Sequence, residues 1–215
     1  MLKSQSRTHL FFAQAVTGGY LSSTMPEYRR PLAPGATLFF TVVTNFRRPI
    51  LTSAAALGFL RTAFREEMAH HPFEIDAIVI LPDHLHCLWT LPPDDTRYSM
   101  RWSAIKGRFT DLFLAGGGTE TPRSASRRKR GERGVWQRRF WDHVIRDDDD
   151  YGRHMDYIHY NPVKHALVRC PHAWPHSSFA KWVRRGAYAP DWMCLCAGRP
   201  AKPPDFGDVE GRAGE

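Results

Sequence analysis

Long apolar runs are absent from this 215-residue chain. Nothing in it approaches the roughly 20 consecutive apolar residues that a membrane-crossing helix needs, so no membrane partner is expected. Cysteine is scarce. Cys87, Cys170, Cys194 and Cys196 include no Cys-x-x-Cys pair and lack the density of a disulfide framework, the pattern of a reducing cytoplasm. Cys194-Leu195-Cys196 offers only a weak metal or thiol signal. No secretory signal is expected from the opening segment, because Lys3 and Arg7 precede an apolar core, Leu10-Phe11-Phe12, that is too short for a convincing one. Residues 1–24 are expected to form a disordered extension, with Met25 opening the segment that resembles a natural start. No internal repeat of short period is evident.

Acidic surplus is lacking too. Lys and Arg number 30 against 22 Asp and Glu, net +8, with an isoelectric point near 9.6. The surplus is concentrated: from Arg123 to Arg139 eight basic residues face one acid, Glu132. The stretch 115–134, with Arg127-Arg128-Lys129-Arg130 at its centre, is too polar to pack and is expected to be a mobile basic loop. Every cation that neutralises a phosphate releases a counterion, so such a loop fits salt-sensitive nucleic-acid binding better than mere solubility.

The order of elements is legible. Thr37 to Thr44 has strand composition, and Thr52-Ser53 caps a helix whose Leu57, Leu60, Phe64 and Met68 recur at helical spacing until Pro72. Strands at Phe73 to Leu81 and His84 to Leu91 follow, joined at Pro82-Asp83. A second helix runs from Ser99 to about Leu114 and is ended by Gly116-Gly117-Gly118. A strand near Phe140 to Ile145 and a late helix complete the series. The fold class is therefore α+β: a ferredoxin- or RRM-like βαββαβ sandwich with an additional C-terminal helical segment. One domain spanning 25–192 is expected, followed by a disordered tail over 193–215.

Two constellations carry chemistry. In His84-Leu85-His86 the imidazoles lie two apart on a strand and project from one face, where they can grip one cation, as in a zinc site, or be simply a pair of satisfied histidines. In the late helix, opened by Asp147-Asp148-Asp149-Asp150 and closed or kinked at Pro162, Tyr157 and Asn161 lie four apart on one face. The bland alternative makes Tyr157 a core aromatic and Asn161 a helix cap.

Several segments together resemble a known family. Met25-Pro26-Glu27-Tyr28-Arg29-Arg30, Leu81-Pro82-Asp83-His84-Leu85-His86-Cys87-Leu88-Trp89, Trp136-Gln137-Arg138-Arg139-Phe140-Trp141-Asp142-His143 and Asp156-Tyr157-Ile158-His159-Tyr160-Asn161-Pro162-Val163-Lys164-His165 are similar to the REP-associated tyrosine transposases, within the HUH single-tyrosine superfamily. The similarity runs from about Met25 to Asp191. The basic stretch from Gly116 looks longer than the family's connection, and residues 1–24 have no counterpart.

The resemblance implies the HUH fold and a DNA transposase or single-strand endonuclease that nicks and rejoins palindromic hairpins through a 5′-phosphotyrosine. Tyr157 would be the nucleophile, and His84, His86 and Asn161 would hold Mg²⁺ or Mn²⁺. His154 is a substitute third ligand, and Tyr151 and Tyr160 are rival nucleophiles. The partner would be single-stranded or hairpin DNA, without a nucleotide cofactor, and the protein a monomer. Candidate DNA contacts are Arg29, Arg30, Arg101, Lys106, Arg108, Arg127, Arg128, Lys129, Arg130, Arg138 and Arg139. Trp174, Trp182 and Trp192 could stack on unpaired bases or belong to the core. Two other readings stay open: a domesticated, non-catalytic DNA-binding protein, and a zinc hydrolase using His84-x-His86 with water as nucleophile.

Overall fold

Strand alternation divides the first strand's side chains between two layers. In the computed structural model, which describes residues 34–197, 202–207 and 209, β1 (Thr37–Val43) turns Leu38, Phe40 and Val42 toward one face and Phe39 and Thr41 toward the other. After β1 the chain forms α1 (Ala54–His70), the hairpin of β2 (Glu74–Ile80) and β3 (His84–Thr90), then α2 (Tyr98–Ala115). A short helix α3 (Ala125–Lys129), β4 (Trp141–Val144), α4 (Asp148–Lys164) and α5 (Phe179–Arg184) complete it. The four strands make one antiparallel sheet in the order β2-β3-β1-β4, the arrangement expected of a split βαβ sandwich.

The first face is covered by α1 and α2, and its core is aromatic. Trp89 and Trp102 stack with centroids 4.3 Å apart, and Phe40, Phe64 and Phe73 pack around them. Of the Thr52-Ser53 pair it is Ser53 that caps α1, its hydroxyl accepting from the Ala56 N–H. The second face carries Phe39, Ala77, Val79 and Leu88 and is covered by α4, through Met155, Tyr157 and Ile158. β3 belongs to both layers: Leu85, Cys87 and Trp89 face the helices α1 and α2, while His84, His86 and Leu88 fall under α4.

Four expectations need correction. The basic stretch forms α3, capped by the Ser124 hydroxyl, instead of a structureless loop. Pro162 does not end α4. It sits in the last turn, its carbonyl accepts the Leu167 N–H, and the helix reaches Lys164. The tail is not excluded from the core: Phe206 and Val209 are buried with Tyr157 and Tyr160. Finally, Cys170 and Cys194 form a disulfide, and the Cys196 Sγ lies 2.8 Å from that of Cys170. Spacing could not reveal the pair, because the segments meet through the Leu195 N–H bonded to the Arg169 carbonyl. Residues 1–24 and the motif from Met25 to Arg30 lie outside the described residues.

Candidate active site and nucleic-acid interface

The register of β1 against β3 sets Thr41 opposite His86. The Thr41 hydroxyl lies 2.9 Å from His86 Nδ1, and Asp83 Oδ1 lies 2.6 Å from His84 Nδ1. Both imidazoles are buried, and their centroids stand 4.9 Å apart. With each Nδ1 engaged, the Nε2 atoms are the ones that would face a shared ligand, the usual device by which an outer hydrogen bond orients a metal-binding histidine. Burial alone would raise the Asp83 carboxyl, but hydrogen bonds from His84 and Arg47 outweigh it and pull its pKa down to about 2. The carboxylate therefore stays ionised behind His84.

Across this face runs α4. Its N-cap is Asp147, whose carboxylate accepts the Asp150 N–H at 2.7 Å, and three further aspartates occupy the positive end of the helix. Tyr157 is fully buried, with its ring centroid 5.3 Å from that of His86. Its hydroxyl accepts a hydrogen bond from Lys164 Nζ at 3.1 Å, and the ammonium lies 4.8 Å from the ring centroid. Asn161 is buried one turn beyond Tyr157, and His165 at the helix end stands 5.2 Å from His84. The strand pair and the late helix thus meet. Lys164 thereby joins the candidate site, and its position two turns beyond Tyr157, on the same helical face, is the sequence signal that could have found it.

The rivals are occupied elsewhere. Tyr160 packs on Phe206 and Trp192, and burial pushes the Tyr151 phenol up to about 12. His154 gives its Nδ1–H to the Asp150 carbonyl at 2.8 Å, and its ring packs against Phe39 and His143. It belongs to a second cluster, in which His143 Nε2 is 2.8 Å and Arg146 Nε 3.1 Å from the buried Asp150 carboxylate. Burial would raise Asp150, yet the hydrogen bonds from Arg146 and His143 hold it well below the usual carboxylate range. Although these side chains are close enough to share a metal ion, the guanidinium of Arg146 already supplies the positive charge, and the cluster reads as a clasp between β4 and α4.

The basic residues divide sharply. Arg101 is only 1% exposed, and its guanidinium is spent on Asp95, at 2.9 and 3.0 Å, and on the His71 and Pro72 carbonyls. It is a structural cation, which corrects its assignment as a DNA contact. Arg108 is exposed and paired with Glu66 at 2.7 Å, and Lys106 ties α2 to the Gln137 carbonyl at 2.6 Å. Arg127 turns inward to Asn45, Arg133 and Trp136, and Arg138 pairs with Glu132. Arg128, Lys129, Arg130 and Arg139 are exposed. Arg29 and Arg30 lie outside the described residues. The tryptophans proposed for stacking are engaged inside the fold, since Trp174 donates to the Ile80 carbonyl, Trp182 to the Asp76 carbonyl, and Trp192 packs on Tyr188.

With this geometry in hand, comparison with known proteins is direct. No family model matches the chain. An Escherichia coli protein named REP-associated tyrosine transposase is 43% identical over 169 residues, 78% of this chain and 91% of that protein. A Haemophilus influenzae protein of the same family name is 41% identical over 174 residues, 78% of this chain and 93% of that protein. Among solved structures, a REP-associated tyrosine transposase bound to a REP hairpin superposes with a TM-score of 0.64 at 42% identity, covering 78% of this chain and 91% of that one. Identity at this level across nearly the whole of each relative means that the chain belongs to the REP-associated tyrosine transposases.

Proposed function

We propose that this protein nicks and rejoins single-stranded DNA at palindromic hairpins, with Tyr157 as nucleophile. The observation that carries the reading is the meeting of the Tyr157 phenol with His86, rings 5.3 Å apart, inside a chain of this family. In the step proposed, the Tyr157 oxygen attacks the scissile phosphorus and the bond to the 3′ oxygen breaks. A 5′-phosphotyrosine and a 3′-hydroxyl result, and the phosphodiester energy is conserved, so a second strand can rejoin without a nucleotide cofactor. Lys164, which donates to the attacking oxygen, stabilises the charge that develops as the phenol proton leaves.

The donor set fits a divalent cation. His84 and His86, each fixed through Nδ1, and the amide of Asn161 would hold Mg²⁺ or Mn²⁺, with histidine favouring Mn²⁺. Such an ion supplies Lewis-acid polarisation of the phosphate and stabilisation of the departing oxygen. Arg128, Lys129, Arg130 and Arg139 are the proposed backbone contacts, joined by the partly engaged Lys106, Arg108, Arg127 and Arg138, and by Arg29 and Arg30. The protein is read as a cytoplasmic monomer. No helix among the described residues is long and apolar enough to cross a membrane.

The test is cleavage of a labelled hairpin oligonucleotide with Mn²⁺, resolved on a denaturing gel. Wild-type protein should give a slow-migrating covalent adduct that Tyr157→Phe abolishes, while His86→Ala should lose cleavage and keep low-salt binding. Nicking without any adduct would favour water as nucleophile and the hydrolase reading instead.

A further inference from the structure

The loop that joins β1 to α1 carries an aromatic side chain which the fold does not use. Phe46 is 77% exposed. A single exposed apolar residue is ordinary, but this one is held in an unfavourable backbone conformation. Phe46 has φ 55° and its neighbour Arg47 φ 49°, so two successive residues with Cβ atoms occupy the left-handed region. Glycine or asparagine would sit there at lower cost, and bulky residues in that region concentrate where function demands them. Among the described residues nothing in the packing of Phe46 offsets the strain.

The surroundings show that the loop is braced. The Thr44 N–H donates to the Asp83 carbonyl at 2.8 Å, and the Asn45 N–H donates to the Val135 carbonyl at 2.8 Å. Asn45 Oδ1 accepts from Arg127 of the basic insertion at 3.2 Å, and its amide nitrogen donates to Thr121. Arg48 grips the Thr119 carbonyl and hydroxyl at 2.6 and 3.0 Å. Arg47 reaches Asp83 Oδ2 at 3.1 Å, and the other oxygen of that carboxylate holds His84 at 2.6 Å. The turn that carries Phe46 is therefore tied on one side to Asp83, which holds His84, and on the other to Arg127 of α3.

What would fit such a platform is a flat π surface on an anionic backbone. An unpaired nucleobase has both properties, whereas bases inside a duplex are already stacked and present only their edges. We propose that Phe46 stacks on one unpaired base of the single-stranded DNA, beside the His84–His86 pair, and so fixes which phosphate reaches Tyr157. This assignment rests on the single-strand cleavage reading and adds to it a register-setting contact. It also moves the stacking role from the tryptophans of the C-terminal part, which are engaged in the fold, to a phenylalanine on the turn whose Arg47 meets Asp83.

The experiment uses full-length protein and a hairpin oligonucleotide with an unpaired flank, 2-aminopurine being placed at each flanking position in turn. Wild type should quench one position. Phe46→Ala and the strain-relieving Phe46→Gly should both lose that quench and bind the flanked hairpin about tenfold more weakly, the scale of one base–aromatic stack. Phe46→Trp should restore both, and all four proteins should bind a flankless hairpin equally. Equal affinity of wild type and Phe46→Ala for the flanked hairpin, or an equal loss on the flankless one, would overturn the platform. Adduct formation in the same samples separates the two ideas. An adduct without any dependence on Phe46 removes the platform alone, whereas Phe46-dependent quenching without an adduct keeps the platform and removes the cleavage chemistry.

Discussion

At the scale of single residues, what decides a guanidinium's role is where its five N–H groups point. Arg101 and Arg130 look alike in sequence, and Arg101 lies on a helix whose neighbours Lys106 and Arg108 do face outward. Its side chain instead runs under the end of α1 to meet Asp95 and two carbonyls. Arg101→Met should destabilise the protein by roughly 3–5 kcal/mol, since breaking a buried pair strands the partner's charge. Arg130→Ser should cost less than about 0.5 kcal/mol and act only on salt-dependent DNA affinity. The pH dependence has a definite sign. Hydrogen bonding from Arg101 holds the Asp95 carboxyl far below its ordinary range. The associated stability is complete above the unfolded aspartate value near ~4 and is lost as pH falls from there toward the folded value. Denaturant melts of wild type and Arg101→Met across that window should converge, and parallel curves would contradict the assignment.

Elements raise the question of how α4 is held at a fixed height over the sheet. One end is clasped to β4 through Asp150, His143 and Arg146, and the middle is tied to Ser178 by His159 at 2.9 Å. Burial drives the His154 pKa down to about 4 and that of His159 down to about 3, so both rings are neutral in the folded protein at neutral pH. Unfolded histidines bind protons below about pH 6.5, so the stability of α4 must fall as pH drops from that value toward the folded ones. By about pH 4.5 the cost should be on the order of 2 kcal/mol per ring, and His159→Asn should remove its share of the slope in thermal melts between those limits. The sequence predicted this helix, its acidic cap and the face shared by Tyr157 and Asn161, because capping and helical spacing are local physics. It also placed His84 and His86 on one face of a strand. Its reading that Pro162 closes or kinks the helix falls two residues short of the actual end at Lys164, since a proline in the last turn sacrifices only one intrahelical bond. It missed the fold of the basic insertion, because what orders Arg127 is Asn45, which lies 82 residues away along the chain.

For the whole molecule the question becomes access, because Tyr157, the nucleophile proposed to meet a phosphate, lies entirely out of solvent. Most of what covers Tyr157 cannot leave without unfolding the domain: Phe39 belongs to the central strand, and His86 to the strand beside it. Phe206 is different. It stands edge-on to Tyr157 at 5.3 Å and tilted against Tyr160 at 5.8 Å, yet it comes from a terminal segment whose described residues contribute no strand to the sheet. Burying a phenylalanine is worth about 1.5–3 kcal/mol, which converts to a covered-to-uncovered ratio of roughly ten to one hundred or more. Phe206→Ala should therefore speed single-turnover nicking by about that factor, with Phe206→Leu intermediate and hairpin affinity little changed. An unchanged nicking rate in Phe206→Ala would mean that the phosphate reaches Tyr157 by displacing something other than the tail.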